Sequence, residues 1–126
     1  MGWEIKARMV QVVNQTRRAI LASQCEVARS FFARGRGLLG RQSLPVGGGL
    51  LIEPCNSIHM LFMRFAIDAI FVDRNGTVVA LYPDLPPWRI YAGHRQARYV
   101  LELPVGVIAA TNTVVGDQIV VQELQE

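Results

Sequence analysis

The dipeptide Asn75-Gly76 narrows what this chain can fold into more than any other feature. It separates two β-branched and aromatic runs, Ile67 to Asp73 (IDAIFVD) and Thr77 to Tyr82 (TVVALY). Both residues of the dipeptide tolerate positive φ, which marks a β-hairpin. A two-residue loop pairs Asp73 with Val78 and Phe71 with Ala80. The competing register is a three-residue loop with Gly76 left-handed.

The rest of the chain fits around that hairpin as further short strands. Residues 4 to 13 alternate loosely and read as a first strand. Thr16-Arg17-Arg18 is turn-like and leads into Ala19 to Ala22. Val27 and Phe31 stand four apart, which predicts a helix of two or three turns within Glu26 to Leu39, interrupted at Gly35 and Gly37. Gly47-Gly48-Gly49 reads as a flexible connection into a buried strand, Leu50 to Ile52. Pro83, Pro86 and Pro87 impose a loop, because proline supplies no ladder N–H. Arg98 to Leu103 is a strand with Tyr99, Leu101 and Leu103 on one face and Val100 and Glu102 on the other. A last strand, Gln118 to Val121, follows the turn Val115-Gly116-Asp117. The expected architecture is α+β and mainly antiparallel, a compact, partly closed β-barrel-like domain with one short helix, spanning 1–126 as a single domain.

Composition bounds the function classes. Hydrophobic residues are 51% and charged residues 18%, which argues against disorder. No apolar run approaches the roughly 18–20 residues of a membrane helix. The start MGWEIKARMV has no apolar signal core, so a cytoplasmic location is expected. Residues 1–41 carry a net +6 and residues 42–126 a net −3. The basic third, with Arg29, Arg34, Arg36 and Arg41, opens a nucleic-acid reading, although a solvated basic face is the commoner meaning of such a cluster. Cys25 and Cys55 are too few and too far apart for a disulfide framework.

The ordered stretches RGRGLLGRQSLPVGGGLLIEPCNSIHMLFMRFAIDAIFVDRNGTVVALYPDLPPWRIY, RYVLELPVG and VGDQI resemble the family known as domain of unknown function 192. The likeness covers about residues 31–120. It implies a compact, mostly β fold in stand-alone prokaryotic proteins, and no activity, cofactor or substrate. Ala66 stands where the family pattern commonly has Pro, which removes the expectation of a proline-fixed bend.

The candidate site lies in the central segment, where Cys55, Asn56, Ser57, His59, Arg64 and Asp68 interleave with Ile58, Met60, Phe62, Phe65 and Ile67. Burying such polar groups without partners costs a few kcal/mol, so they either pair or line a cleft. Trp88 and Glu102 complete the candidate set. Cys55 and His59 with Met60 or Met63 are soft-metal donors, yet an extended strand spreads four residues over about 13 Å, so no metal site and no cofactor is expected. A Cys55/His59 nucleophile and base, with Asp68 orienting the imidazole, meets the same objection and needs contact within about 4 Å. The structural alternative pairs Arg64 with Asp68, sets His59 on a carbonyl, and gives Glu102 to Arg98 or Arg89. Trp88, in Pro86-Pro87-Trp88-Arg89, either docks a partner or covers one end of the barrel. The favoured expectation is a non-enzymatic binding or accessory domain whose cleft takes a small ligand or a protein segment. A small enzyme using Cys55, His59 and Asp68 is the alternative, followed by nucleic-acid binding.

Overall fold

The computed structural model describes residues 8–124. Among the described residues nine strands and two short helices follow in the order β1 (Met9–Asn14), β2 (Ala19–Ala28), α1 (Phe31–Arg36), β3 (Gly48–Ile52), β4 (Ser57–Ile58), β5 (Ile67–Asp73), β6 (Val78–Leu85), β7 (Ala92–Gly93), β8 (Ala97–Leu103), α2 (Val107–Thr111) and β9 (Ile119–Glu123). Seven strands form one sheet in the order β6-β5-β8-β3-β2-β1-β9, and β4 pairs with β7 apart from it. The sheet curls until its edges meet at one isolated bridge, Thr77 to Gln118. There the Val78 amide donates to the Asp117 carbonyl at 2.9 Å and the Ile119 amide to Gly76 at 2.7 Å. The barrel is therefore pinned at one seam and not closed along its length. The fold is α+β and mainly antiparallel, as the sequence implies.

Central strands with both faces covered give the molecule two cores. Leu51, Ile70, Val72, Leu101 and Leu103 face the inside of the curl. Leu50, Ile52, Ala69, Phe71 and Val100 face the other side, beneath Leu38, Met60 and Met63. The period of two along each strand assigns alternate residues to the two cores. Glu102 follows Val100 onto the second face, where its cross-strand neighbours are Leu50 and Ala69.

At the hairpin tip the loop is Arg74-Asn75-Gly76. The Asp73 amide donates to the Thr77 carbonyl at 2.9 Å, and Gly76 has φ +81°. This is the three-residue register. A bulge between Phe71 and Val72 then shifts the ladder, so Phe71 still faces Ala80.

Several boundaries differ from the sequence expectation. The first strand is Met9–Asn14, and residues 4–7 lie outside the described residues. β2 runs on through Glu26, Val27 and Ala28, because this segment is paired on both sides, by β1 and by β3. The helix is only Phe31–Arg36 and buries none of its residues. Gly48 and Gly49 are strand, not linker. A Cβ at Gly49 would stand 2.8 Å from Leu103 Cδ2 and 3.2 Å from the Glu102 carbonyl, so glycine permits the close approach of β8. Pro83 sits within β6, which tolerates it as an edge strand. A second helix, α2, packs Ile108 into the inner core.

β2 and β3 run parallel. A parallel pair requires a crossover, and residues 29–47 supply it, carrying α1. Ser30 caps α1 by accepting the Ala33 amide at 3.0 Å. Gly37 ends it at φ +50°.

Candidate functional site

The crossover and the loop after β3 enclose a cleft at the carboxyl ends of the parallel pair. Its outer part, about 510 Å³, lies between Phe31, Arg34 and Gly35 on one side and Pro54, Cys55, Asn56 and Ser57 on the other. Ile52, Ala97 and Arg98 complete it. An inner chamber of about 210 Å³ shares Arg34, Gly35, Ile52, Cys55 and Ser57 with the outer part, and reaches His59, Met63 and Glu102. Leu38, Leu39 and Ile58 supply its apolar lining.

Glu102 stands on the face of β8 beneath the crossover. Its residue surface is 5% exposed, and Oε1 is buried with no hydrogen-bond partner. Burial pushes the carboxyl up to about 7, only partly offset by the charge of Arg41. Gly37 passes close by: a Cβ there would lie 3.8 Å from Glu102 Oε1. Neither expected arginine engages Glu102. Arg98 instead lies 3.9 Å from Glu53 Oε2.

Arg34 reaches from α1 across the cleft, where Nη1 donates to the Pro54 carbonyl at 3.1 Å. Its Nε is buried and likewise without a partner. Arg34 and Glu102 both line the inner chamber, and each carries a buried polar atom without a partner, Arg34 Nε and Glu102 Oε1.

Cys55 is half-buried, and its Sγ donates to the Ser57 carbonyl at 3.2 Å. Burial raises its pKa, with Glu102 adding to the rise and Arg34 and the backbone hydrogen bond opposing it. A thiol held in its protonated form is a poor nucleophile. His59 Nδ1 accepts the Leu61 amide at 3.3 Å, rather than the imidazole meeting a carbonyl. Ser57 and Asn56 are fixed by β4 and β7: Ser57 pairs with Gly93, and the His94 amide donates to the Asn56 carbonyl at 3.0 Å.

The remaining candidates lie elsewhere. Asp68 accepts three backbone amides, from Asp84 at 2.9 Å, Gly106 at 3.1 Å and Ile108 at 2.9 Å. Its carboxylate ties β6 and the start of α2 to β5, and is not among the groups lining the cleft. Arg64 is exposed, and the ion pair proposed for it with Asp68 does not form. Trp88 is exposed and packs edge-on against Phe62 at 5.1 Å, so it covers a loop rather than a barrel end. Among the described residues no group of three or more His, Cys, Asp or Glu could hold a metal ion. No described helix is long and apolar enough to cross a membrane.

The sequence reading considered Arg34 only as part of a basic cluster. The signal for its present position is the second glycine of the RGRGLL run: Gly37, at φ +50°, ends α1 directly after Arg36 and passes close to Glu102 on β8.

Residues 12–121 match the model of the uncharacterised ACR family, domain of unknown function 192. The chain belongs to this family. Within it, a UPF0127 protein of Pyrococcus furiosus is 36% identical over 113 residues, covering 86% of this chain and 95% of that one. A UPF0127 protein of Thermococcus sibiricus is 35% identical over 112 residues, covering 86% and 72%. The fold of this domain of unknown function 192 also occurs in two solved structures. One, from Sinorhizobium meliloti 1021, is described as a candidate transcription regulator; it aligns with TM-score 0.79 at 21% identity over 94% of this chain and 97% of that one. The other, a protein of unknown function from Novosphingobium aromaticivorans, aligns with TM-score 0.73 at 20% identity over 89% and 83%.

Proposed function

We propose that this chain is a non-enzymatic binding domain that takes a small molecule into the cleft under α1. The observation that carries this reading is Glu102: a carboxyl planted between Leu50 and Ala69, facing a chamber, with Oε1 unpartnered. A buried polar atom without a partner costs about 1–3 kcal/mol, so folding alone gives no reason to keep it. A bound molecule supplies the missing partner. The outer cleft volume falls within the range usual for small-molecule sites.

Of the polar set expected at the site, Cys55, Asn56, Ser57, His59 and Glu102 line this cleft in the present reading, while Arg64, Asp68 and Trp88 do not. Catalysis by Cys55, His59 and Asp68 is the weaker reading, because Asp68 is saturated by amides and the Cys55 thiol is stabilised as a thiol. Nucleic-acid binding is also weaker. Arg29 pairs with Glu53 at 2.9 Å, Arg41 with Glu26 at 2.6 Å, and Arg34 is turned onto Pro54. The free cysteines Cys25 and Cys55 suit a reducing, cytoplasmic setting.

Backbone amide NMR of the full chain, titrated with a mixture of small polar aromatic fragments, tests the reading. Shifts clustered on residues 34–38, 55–59 and 102 are expected. Shifts scattered over the surface, or none, would overturn it.

A further inference from the structure

We infer that the outer part of the cleft takes an oxyanion, a carboxylate or phosphate group carried on a flat apolar body. This rests on the small-molecule reading of the cleft and specifies its ligand. Two arginines, Arg34 and Arg98, line the outer part, and among the described residues no carboxylate lines it. Both are anchored to one peptide unit. Arg34 Nη1 donates to the Pro54 carbonyl at 3.1 Å, and the Cys55 amide donates to the Arg98 carbonyl at 2.9 Å. The Pro54 bond uses one of the five N–H donors of the Arg34 guanidinium. Arg98 keeps its side chain 54% exposed, with Glu53 no nearer than 3.9 Å, and Glu53 is already engaged by Arg29 at 2.9 Å.

Charge sets the sign of the ligand. Around the mouth Arg29, Arg34 and Arg98 stand against Glu53, three positive charges to one negative, a net +2. The neighbouring pair of Arg41 with Glu26 is neutral in sum. Glu102 lines the inner chamber and not the outer part, and burial favours its neutral form, so it opposes an anion weakly. A concave surface lined by one sign of charge concentrates its field on whatever enters. A cation is repelled there. A neutral group enters but forgoes charge-assisted hydrogen bonds, which are roughly twice as strong as neutral ones and which the arginine fork offers to carboxylate and phosphate alike. Asn56 and Ser57 add neutral polar atoms on the same wall. Phe31, 87% exposed at the lip, and Ala97 offer apolar surface for the body of the ligand to cover.

Four probes that share a phenyl ring separate these cases: benzoate, phenyl phosphate, benzamide and benzylammonium. Each is titrated into the full chain at pH 7 and low salt, and followed by the amide resonances of residues 31–35, 55–57 and 97–98. At least one of the two anions is expected to bind there about tenfold or more tightly than benzamide and benzylammonium. The tighter of the two anions tells carboxylate from phosphate. Arg34→Gln is expected to weaken that anion at least about tenfold. Because Arg34 also ties α1 to Pro54, the exposed change Arg98→Gln is measured beside it, with an expected loss of about threefold or more for the anion and less than about twofold for benzamide. Benzamide or benzylammonium binding the cleft as tightly as both anions overturns the ligand class and leaves the cleft standing as a site. Undiminished anion binding by either variant, or anion shifts confined to other residues, overturns the class equally. Cleft shifts from none of the four probes overturn both.

Discussion

Asp117 and Glu102 are both buried acids, one at the seam of the barrel and one beneath the crossover, in opposite surroundings. Asp117 Oδ2 accepts from Asn14 Nδ2 at 2.9 Å, Arg17 Nε at 3.0 Å and the Val114 amide at 3.0 Å. Burial pushes its carboxyl upward, but these hydrogen bonds and the Arg17 charge bring it down to about 2. Glu102 has burial without those partners and rises to about 7. Asp117 holds the seam where β6 and β9 meet, next to the Val78–Asp117 backbone bond. Glu102 holds no element to another, since its neighbours across the sheet are Leu50 and Ala69. A saturated acid is part of the scaffold, whereas an unsaturated one over a chamber is available to a ligand.

Removing a saturated acid gives the largest effect. Asp68→Ala leaves three amides without their acceptor, and Asp117→Ala leaves Arg17 Nε and the Val114 amide without theirs and Asn14 Nδ2 with Thr113 Oγ1 alone. Each is expected to lose about 3 kcal/mol in urea unfolding. A loss below about 1 kcal/mol for either would erase the contrast with Glu102.

The pH dependence comes next. The Glu102 pKa is raised from 4.5 to about 7, so its favourable share is complete below 4.5 and is lost as pH rises to about 7. The loss is on the order of 3 kcal/mol. The Asp117 pKa is lowered from 3.8 to about 2, so its share is present above 3.8 and lost as pH falls towards 2, on the order of 1–2 kcal/mol. Urea midpoints measured from pH 2 to 8 should therefore fall on both sides of a mildly acidic maximum. Glu102→Gln should abolish the alkaline limb alone.

Gly49→Ala addresses how closely β3 and β8 must approach below the cleft. The added methyl meets Leu103 and the Glu102 carbonyl, with an expected loss of about 1–3 kcal/mol in urea unfolding. The smallest effect belongs to the mouth. Phe31 is 87% exposed, so Phe31→Ser should change stability by less than about 0.5 kcal/mol while altering the outer cleft.

What was legible in the sequence is what depends on local pattern. The hairpin, the strand at 98–103 and the inner face of Tyr99, Leu101 and Leu103 follow from turn chemistry and a period of two. What was hidden depends on pairing between distant segments. Val27 and Phe31 suggest a helical face, yet β1 and β3 draw Val27 into a ten-residue strand and leave Phe31 in solvent. The parallel β2–β3 pair, and with it the crossover that roofs the cleft, has no short-range signal. Nor could spacing separate the polar residues of the central segment. Cys55 to His59 and Asp68 are near in sequence, but Asp68 is turned to the amides of α2, which begins almost forty residues later.

The central claim is that Glu102 is retained against the interests of stability, and the urea unfolding of Glu102→Gln at pH 8 tests it most directly. The account predicts a variant more stable than the parent by about 1–3 kcal/mol, because an ionised, unpartnered carboxylate is replaced by a neutral amide. A variant less stable than the parent at pH 8 would mean that the Glu102 carboxylate supports the fold, and would contradict the account.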